Sequence, residues 1–212
     1  MTSRVDEREA WQHRLYATKQ WLDHRDKART AGRIPPRPVS PEVAALYLEF
    51  ATRERHGPVL DIGCGRGTRW RHFPAGYVGL DVVAEWDEGN FPFVQGIAEE
   101  LPWPDATFEA VLSVEAFDHF LDPRLAAAEA LRVLRPGGEL LVFVGTGVSA
   151  DPVEAAAHTH TFHPGELEEL FRVRLRGYRV ARDRSYLALL GERGTGTPAR
   201  PEDEVPTSME RR

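Results

Sequence analysis

The chain of 212 residues has one cysteine, Cys64, and only two methionines. A lone cysteine excludes an internal disulfide and gives no sign of an oxidising compartment. No apolar run approaches the length of a membrane span. The first ten residues are charged rather than apolar, so they do not read as a secretory signal. There is no excess of basic charge: 27 Lys and Arg stand against 33 Asp and Glu, a net charge of −6, which speaks against a nucleic-acid partner. Together these point to a cytoplasmic protein with neither a membrane nor a nucleic acid as partner.

What is present is an ordinary globular composition, 42% hydrophobic and 28% charged, with enough length for one sizeable core. Three regions follow. Residues 1–56 read as N-terminal helices. In the first, Trp11, Leu15 and Leu22 form one stripe, and it suits either a covering or a lid that brings Tyr16, Lys19 or Trp21 over a pocket. Ile34-Pro35-Pro36-Arg37-Pro38 breaks it. Ser40 and Pro41 then cap a second helix, running to Glu54 with Val43, Leu46, Tyr47 and Phe50 inward. Residues 57–190 alternate strands and helices. Strands are predicted over 59–62, 77–82, 91–94, 108–113 and 139–144, a helix over 122–133, and a last hairpin from 173–180 and 186–190. Residues 191–212 lack periodicity and read as a disordered tail.

The segment Val59-Leu60-Asp61-Ile62-Gly63-Cys64-Gly65-Arg66-Gly67 dominates the chain. A short apolar strand enters a glycine turn, and a helix is predicted to start at Thr68 with its free N–H groups facing a ligand. Asp81, eighteen positions beyond Gly63, ends the next strand and can accept hydrogen bonds from both hydroxyls of a ribose. The glycine spacing is G-x-G-x-G, not the G-x-G-x-x-G of nicotinamide and flavin sites.

These residues resemble the first two motifs of the class I S-adenosylmethionine-dependent methyltransferases. Ala98-Glu99-Glu100-Leu101-Pro102-Trp103-Pro104-Asp105 with Phe108-Glu109-Ala110-Val111 is similar to a further stretch of their small-molecule branch, methyltransferase type 11. Leu131-Arg132-Val133-Leu134-Arg135-Pro136-Gly137-Gly138 resembles the turn before that family's fifth strand. The resemblance implies an α/β fold with a doubly wound, mostly parallel seven-stranded sheet, Rossmann-like, under an N-terminal helical lid. It implies S-adenosylmethionine as cofactor and in-line methyl transfer to an O, N or C atom of a small molecule. Two alternatives stand beside it: a regulatory protein that binds the cofactor without turnover, and an NAD-dependent oxidoreductase.

Under that resemblance Gly63, Cys64, Gly65 and Gly67 wrap the methionine and ribose. Asp61 organises the loop and the amino group, and Asp81 with Val82 takes the ribose. Ala98 and Glu99 lie at the adenine, while Ser113 and Val114 face the cofactor. Where the family carries an Asp for the adenine amino group this chain has Ile97, and the interval from Asp81 to Gly96 is too short for a full helix. Trp86 and Asp87 in that interval read as surface loop. His119 stands where a general base would be useful, although a residue bracing its loop is the blander reading. Phe117, His160 and His163 join Tyr16 as candidate walls of the acceptor pocket. The run His158-Thr159-His160-Thr161-Phe162-His163 has no zinc spacing and no partnering cysteine, so no metal is expected.

Overall fold

The computed structural model describes residues 4–33, 38–73, 76–83, 86, 89–147, 152–171 and 174–195. Five α-helices occur among them: α1 (Arg4–Thr30), α2 (Pro41–Thr52), α3 (Pro123–Val133), α4 (Pro152–Ala157) and α5 (Glu166–Phe171). Seven strands form one sheet: β1 (Val59–Ile62), β2 (Tyr77–Asp81), β3 (Phe93–Gln95), β4 (Phe108–Val114), β5 (Leu134–Gly145), β6 (Leu175–Arg182) and β7 (Tyr186–Arg193). Their order is β3-β2-β1-β4-β5-β7-β6. The first five run parallel, and β7 inserts antiparallel between β5 and β6. The predicted sheet and its final hairpin are therefore both present. Chain order reverses between β1 and β4, and in open α/β sheets that is where a crevice opens at the carboxyl ends of the strands.

Strand alternation divides the core in two. Leu140, Val142 and Val144 of β5 face α3 and α5, whose Ala127, Leu131, Leu167 and Phe171 are buried there. Leu141 and Phe143 face the other way, into a cluster with Val43, Leu46 and Phe50 of α2. Helix α2 begins as predicted: the Ser40 hydroxyl accepts from the Val43 N–H, and Pro41 occupies the first turn. Helix α3 starts on the Asp122 carboxylate, which accepts from the Arg124 and Leu125 N–H groups. Both caps satisfy donors that a helix start otherwise leaves open.

Three expectations need correction. The helix predicted from Thr68 is a single 3₁₀ turn, Trp70–His72. The segment before β2 is too short to repay the cost of helix nucleation, so no helix N-terminus faces the glycine turn. The tail does not start at residue 191: β7 continues through Arg193, with Gly191 opposite Leu140 and Glu192 opposite Glu139. A Cβ at Gly191 would lie 2.8 Å from Tyr178 Cβ, so that glycine serves strand packing rather than chain freedom. Trp86 is no surface residue; it is 4% exposed. The predicted break over residues 34–37, Asp87, and the tail from residue 196 onward lie outside the described residues.

Candidate active site

A cavity of ≈ 370 Å³ lies at the carboxyl ends of β1, β2 and β4, beneath α1. That size is within the range of small-molecule sites. Its floor is the glycine turn. The Gly63 and Cys64 N–H groups both donate to the Leu80 carbonyl, at 2.8 and 3.1 Å, tying β1 to β2. Gly63 has φ = 73°, and a Cβ there would lie 2.3 Å from Ala116 Cβ. Only glycine lets the loops after β1 and β4 approach this closely.

Asp81 ends β2 in the cavity wall and is 5% exposed. Its Oδ2 accepts from the Gly65 N–H at 2.9 Å and its Oδ1 from the Val83 N–H at 3.0 Å. Burial raises its pKa to about 6, against the pull of these two N–H groups. Each oxygen keeps a lone pair for a ligand hydroxyl. Val82, Ile97, Ala98 and Trp86 line the same end. The Trp86 indole N–H is buried without an acceptor among the described residues.

Several predicted residues stand elsewhere. The Asp61 carboxylate, fully buried, receives Arg69 Nε at 2.9 Å and the Tyr77 hydroxyl at 2.6 Å. It braces the turn from below and is not in the cavity wall. Gly67 also lies off the cavity: a Cβ there would meet the Phe91 ring at 2.0 Å, so its need for glycine comes from packing. Ser113 donates to the Ile62 carbonyl at 2.9 Å inside the sheet, while its neighbour Val114 does line the cavity. Cys64 lines it too, but burial pushes its thiol far above the ordinary range, so it is a small wall residue and not a nucleophile. Glu99 reaches the wall, yet its Oε1 accepts from the Leu121 and Asp122 N–H groups at 2.8 and 3.1 Å.

The predicted acceptor residues separate. Phe117 packs with Phe120, Phe162 and Phe171 in the core. Tyr16 is exposed and borders a shallow groove with Gln12, Lys19 and Ile97 on the outer side of α1. His160 faces Glu166, and His163 borders a different hollow beside Arg182 and Arg184.

His119 is in the cavity wall and buried. Its Nδ1 lies 2.6 Å from the Ala157 carbonyl, which can only accept, so Nδ1 carries the proton and Nε2 the lone pair. Arg25 of α1 donates to that Nε2. Burial lowers the pKa to about 3. An imidazole so poorly basic is a weak proton acceptor near neutral pH, which favours bracing over catalysis. His119, His158 and Asp118 come within reach of one another. The two rings stack 4.7 Å apart at 14°. His158 Nε2 lies 3.2 Å from Asp118 Oδ2.

Helix α1 contributes residues that sequence reasoning missed: Arg25, Asp26 and Arg29. A signal was there. The Leu15–Leu22 stripe continues at helical spacing through Arg25 and Arg29, apolar at one end and cationic at the other. Leu22 seals the lid against Val83, Trp86 and Ala157. Asp26 meets Arg66 of the glycine turn at 3.2 Å, and Arg29 meets Glu115 at 3.4 Å.

Residues 60–142 match the sequence model of a family described as a methyltransferase domain. A fatty-acid O-methyltransferase of Mycolicibacterium smegmatis is 39% identical over 102 residues, 39% of this chain and 35% of that protein. A phthiotriol/phenolphthiotriol dimycocerosates methyltransferase of Mycobacterium tuberculosis is 39% identical over 109 residues, 44% of this chain and 40% of that protein. The alignments thus span well under half of these relatives. A crystal structure from Thermotoga maritima, described as an S-adenosylmethionine-dependent methyltransferase and possible histamine N-methyltransferase, has a TM-score of 0.64 at 18% identity, covering 85% of this chain and 99% of that one. That likeness concerns the fold.

Proposed function

We propose that this chain, whose residues 60–142 match the methyltransferase-domain family, binds S-adenosylmethionine in the cavity under α1 and transfers its methyl group to a small-molecule acceptor. The observation that carries the reading is Asp81. A buried carboxylate at the end of β2, anchored by two N–H groups, keeps a lone pair on each oxygen at the cavity wall. Two adjacent ribose hydroxyls match that pattern. The apolar side chains of Val82 and Ile97 suit the faces of a purine, and the Trp86 N–H offers a donor beside them. The residues present therefore fit the cofactor. Ile97 in place of a carboxylate leaves backbone, packing and the Trp86 N–H as the means of adenine recognition.

Bound there, the cofactor supplies an electrophilic methyl on a sulfonium. The protein's part is to hold, orient and exclude water. Gly63 and Gly65 let the backbone approach the ligand, and Asp81 fixes its ribose. Leu22, seated among Val83, Trp86 and Ala157, and the Asp26–Arg66 ion pair close α1 over the site. Holding the acceptor in line supplies much of the rate in such a displacement. His119 braces the wall in this scheme. No helix among the described residues is long and apolar enough to cross a membrane; the proposal places the reaction in the cytoplasm, on a free small molecule.

Titration calorimetry with S-adenosylhomocysteine and with NADH tests the reading. Micromolar binding of the first and none of the second is expected. Binding of NADH alone would overturn it.

A further inference from the structure

Glu115 directly follows β4 and has φ = 54°. A glutamate in the left-handed region is strained, and such strain gathers at working sites. Three elements hold it there. Its N–H donates to the Phe143 carbonyl of β5 at 2.7 Å. The Tyr186 hydroxyl of β7 donates to Oε1 at 3.2 Å, and Arg29 of α1 lies 3.4 Å from Oε2. The next residue, Ala116, is wedged against Gly63. The outcome is a carboxylate presented in the cavity wall.

The other described carboxylates of that wall have different duties. Asp81 and Glu99 are held by backbone N–H groups, and Asp26 faces Arg66. His119 turns its lone pair toward Arg25. The Arg29 contact to Glu115 is long for a charge-assisted hydrogen bond, so a ligand donor can exchange with it.

We propose that Glu115 is the acceptor-binding carboxylate of the reaction inferred above, on which this proposal rests, and that the acceptor is a hydroxyl or amine compound whose O–H or N–H donates to it. On transfer the acceptor's lone pair forms the bond to the methyl carbon, the carbon–sulfur pair stays with sulfur, and the acceptor's proton passes to the Glu115 carboxylate and on to water. Carboxylate acceptors, already ionised, are disfavoured beside it by like charge. The strained backbone is the cost of aiming this side chain into the cavity.

The test uses the full chain and two variants. Glu115→Gln keeps the shape and removes the charge. Glu115→Asn withdraws the carboxylate, and asparagine tolerates positive φ better than glutamate does. Calorimetry with S-adenosylhomocysteine should give both variants an affinity within about twofold of the parent. Release of S-adenosylhomocysteine is then measured with a panel of phenols, primary amines and carboxylic acids. Phenols or amines should react, with kcat/KM at least about tenfold lower in Glu115→Gln. Glu115→Asn should melt at or above the parent temperature while losing transfer. Transfer to carboxylic acids only or to none of the panel, turnover of Glu115→Gln within twofold, or a marked melting loss in Glu115→Asn would each overturn the proposal. Failure of the parent to bind S-adenosylhomocysteine would sink the methyl-transfer reading itself; binding with unaffected variant turnover would sink only this one.

Discussion

Arg25, on the N-terminal helix, donates a hydrogen bond to the Nε2 of His119, in the loop after β4. The two lie 94 positions apart in the chain, and their contact joins the helix covering the cavity to the wall beneath it. The imidazole is already oriented from behind by the Ala157 carbonyl at 2.6 Å. The lid is therefore held by a specific polar contact as well as by the apolar seat of Leu22.

Replacing Arg25 by Ala leaves the buried Nε2 acceptor without its donor. Such a loss costs about 1–3 kcal/mol. The melting temperature should fall, and amides of residues 15–30 should exchange faster than those of the sheet. Unchanged exchange in α1 would show that the contact does not hold the lid.

Leu22→Asp attacks the same lid through its apolar seat among Val83, Trp86 and Ala157. A carboxylate is costly to bury in that apolar seat, and the helix should lift. S-adenosylhomocysteine affinity should drop at least about tenfold, with the fold retained by circular dichroism. Equal affinity would make α1 a mere covering.

Asp81→Asn should weaken S-adenosylhomocysteine binding by about 1–3 kcal/mol through loss of charge-assisted bonds. The pH dependence has a definite sign. Burial raises the folded pKa of Asp81 to about 6, so without ligand its contribution to stability is full below pH ~4 and is lost as pH rises through about 6. Ligand hydroxyls prefer the ionised form, so parent affinity should strengthen between pH 5 and 7 while the Asn variant stays flat. Calorimetry at several pH values decides it; a flat parent profile would remove Asp81 from the ribose site.

His119 sets an acid limb of opposite sense. Burial lowers its folded pKa to about 3, whereas an unfolded histidine titrates near ~6.5. Its contribution is full above that unfolded value and is lost as pH falls toward 3. Melting temperatures of the parent should therefore decline from pH 7 to 4, and His119→Gln should flatten that decline. Parallel curves for the two proteins would count against a buried neutral imidazole.

Asp61→Ala strips the partly buried Arg69 of its fully buried carboxylate partner, bound at 2.9 Å with the Tyr77 hydroxyl alongside. Breaking a buried pair from one side costs about 3–5 kcal/mol. The expected fall in melting temperature is roughly 10 °C or more. A change of only a degree or two would mean that this pair does not brace the turn.

The order of strands and helices, the cap at Ser40, the glycine turn and Asp81 were all legible in the sequence. Each is local: alternation, capping chemistry and a turn that demands glycine are written within a few neighbouring residues. Tertiary structure decided which of the marked residues share a space. Asp61 and Ser113 read as cofactor ligands, yet Arg69, Tyr77 and the Ile62 carbonyl take their polar atoms. Gly67 is glycine because of Phe91, twenty-four positions on. Trp86 is sealed beneath Leu22, and Arg25 and Arg29 enter the site only because α1 folds back across the sheet. The glutamate at 115 shows its strain only in a backbone held by β5 and β7 from later in the chain. Short-range patterns specify elements and turns; which side chains share one cavity depends on how distant elements pack.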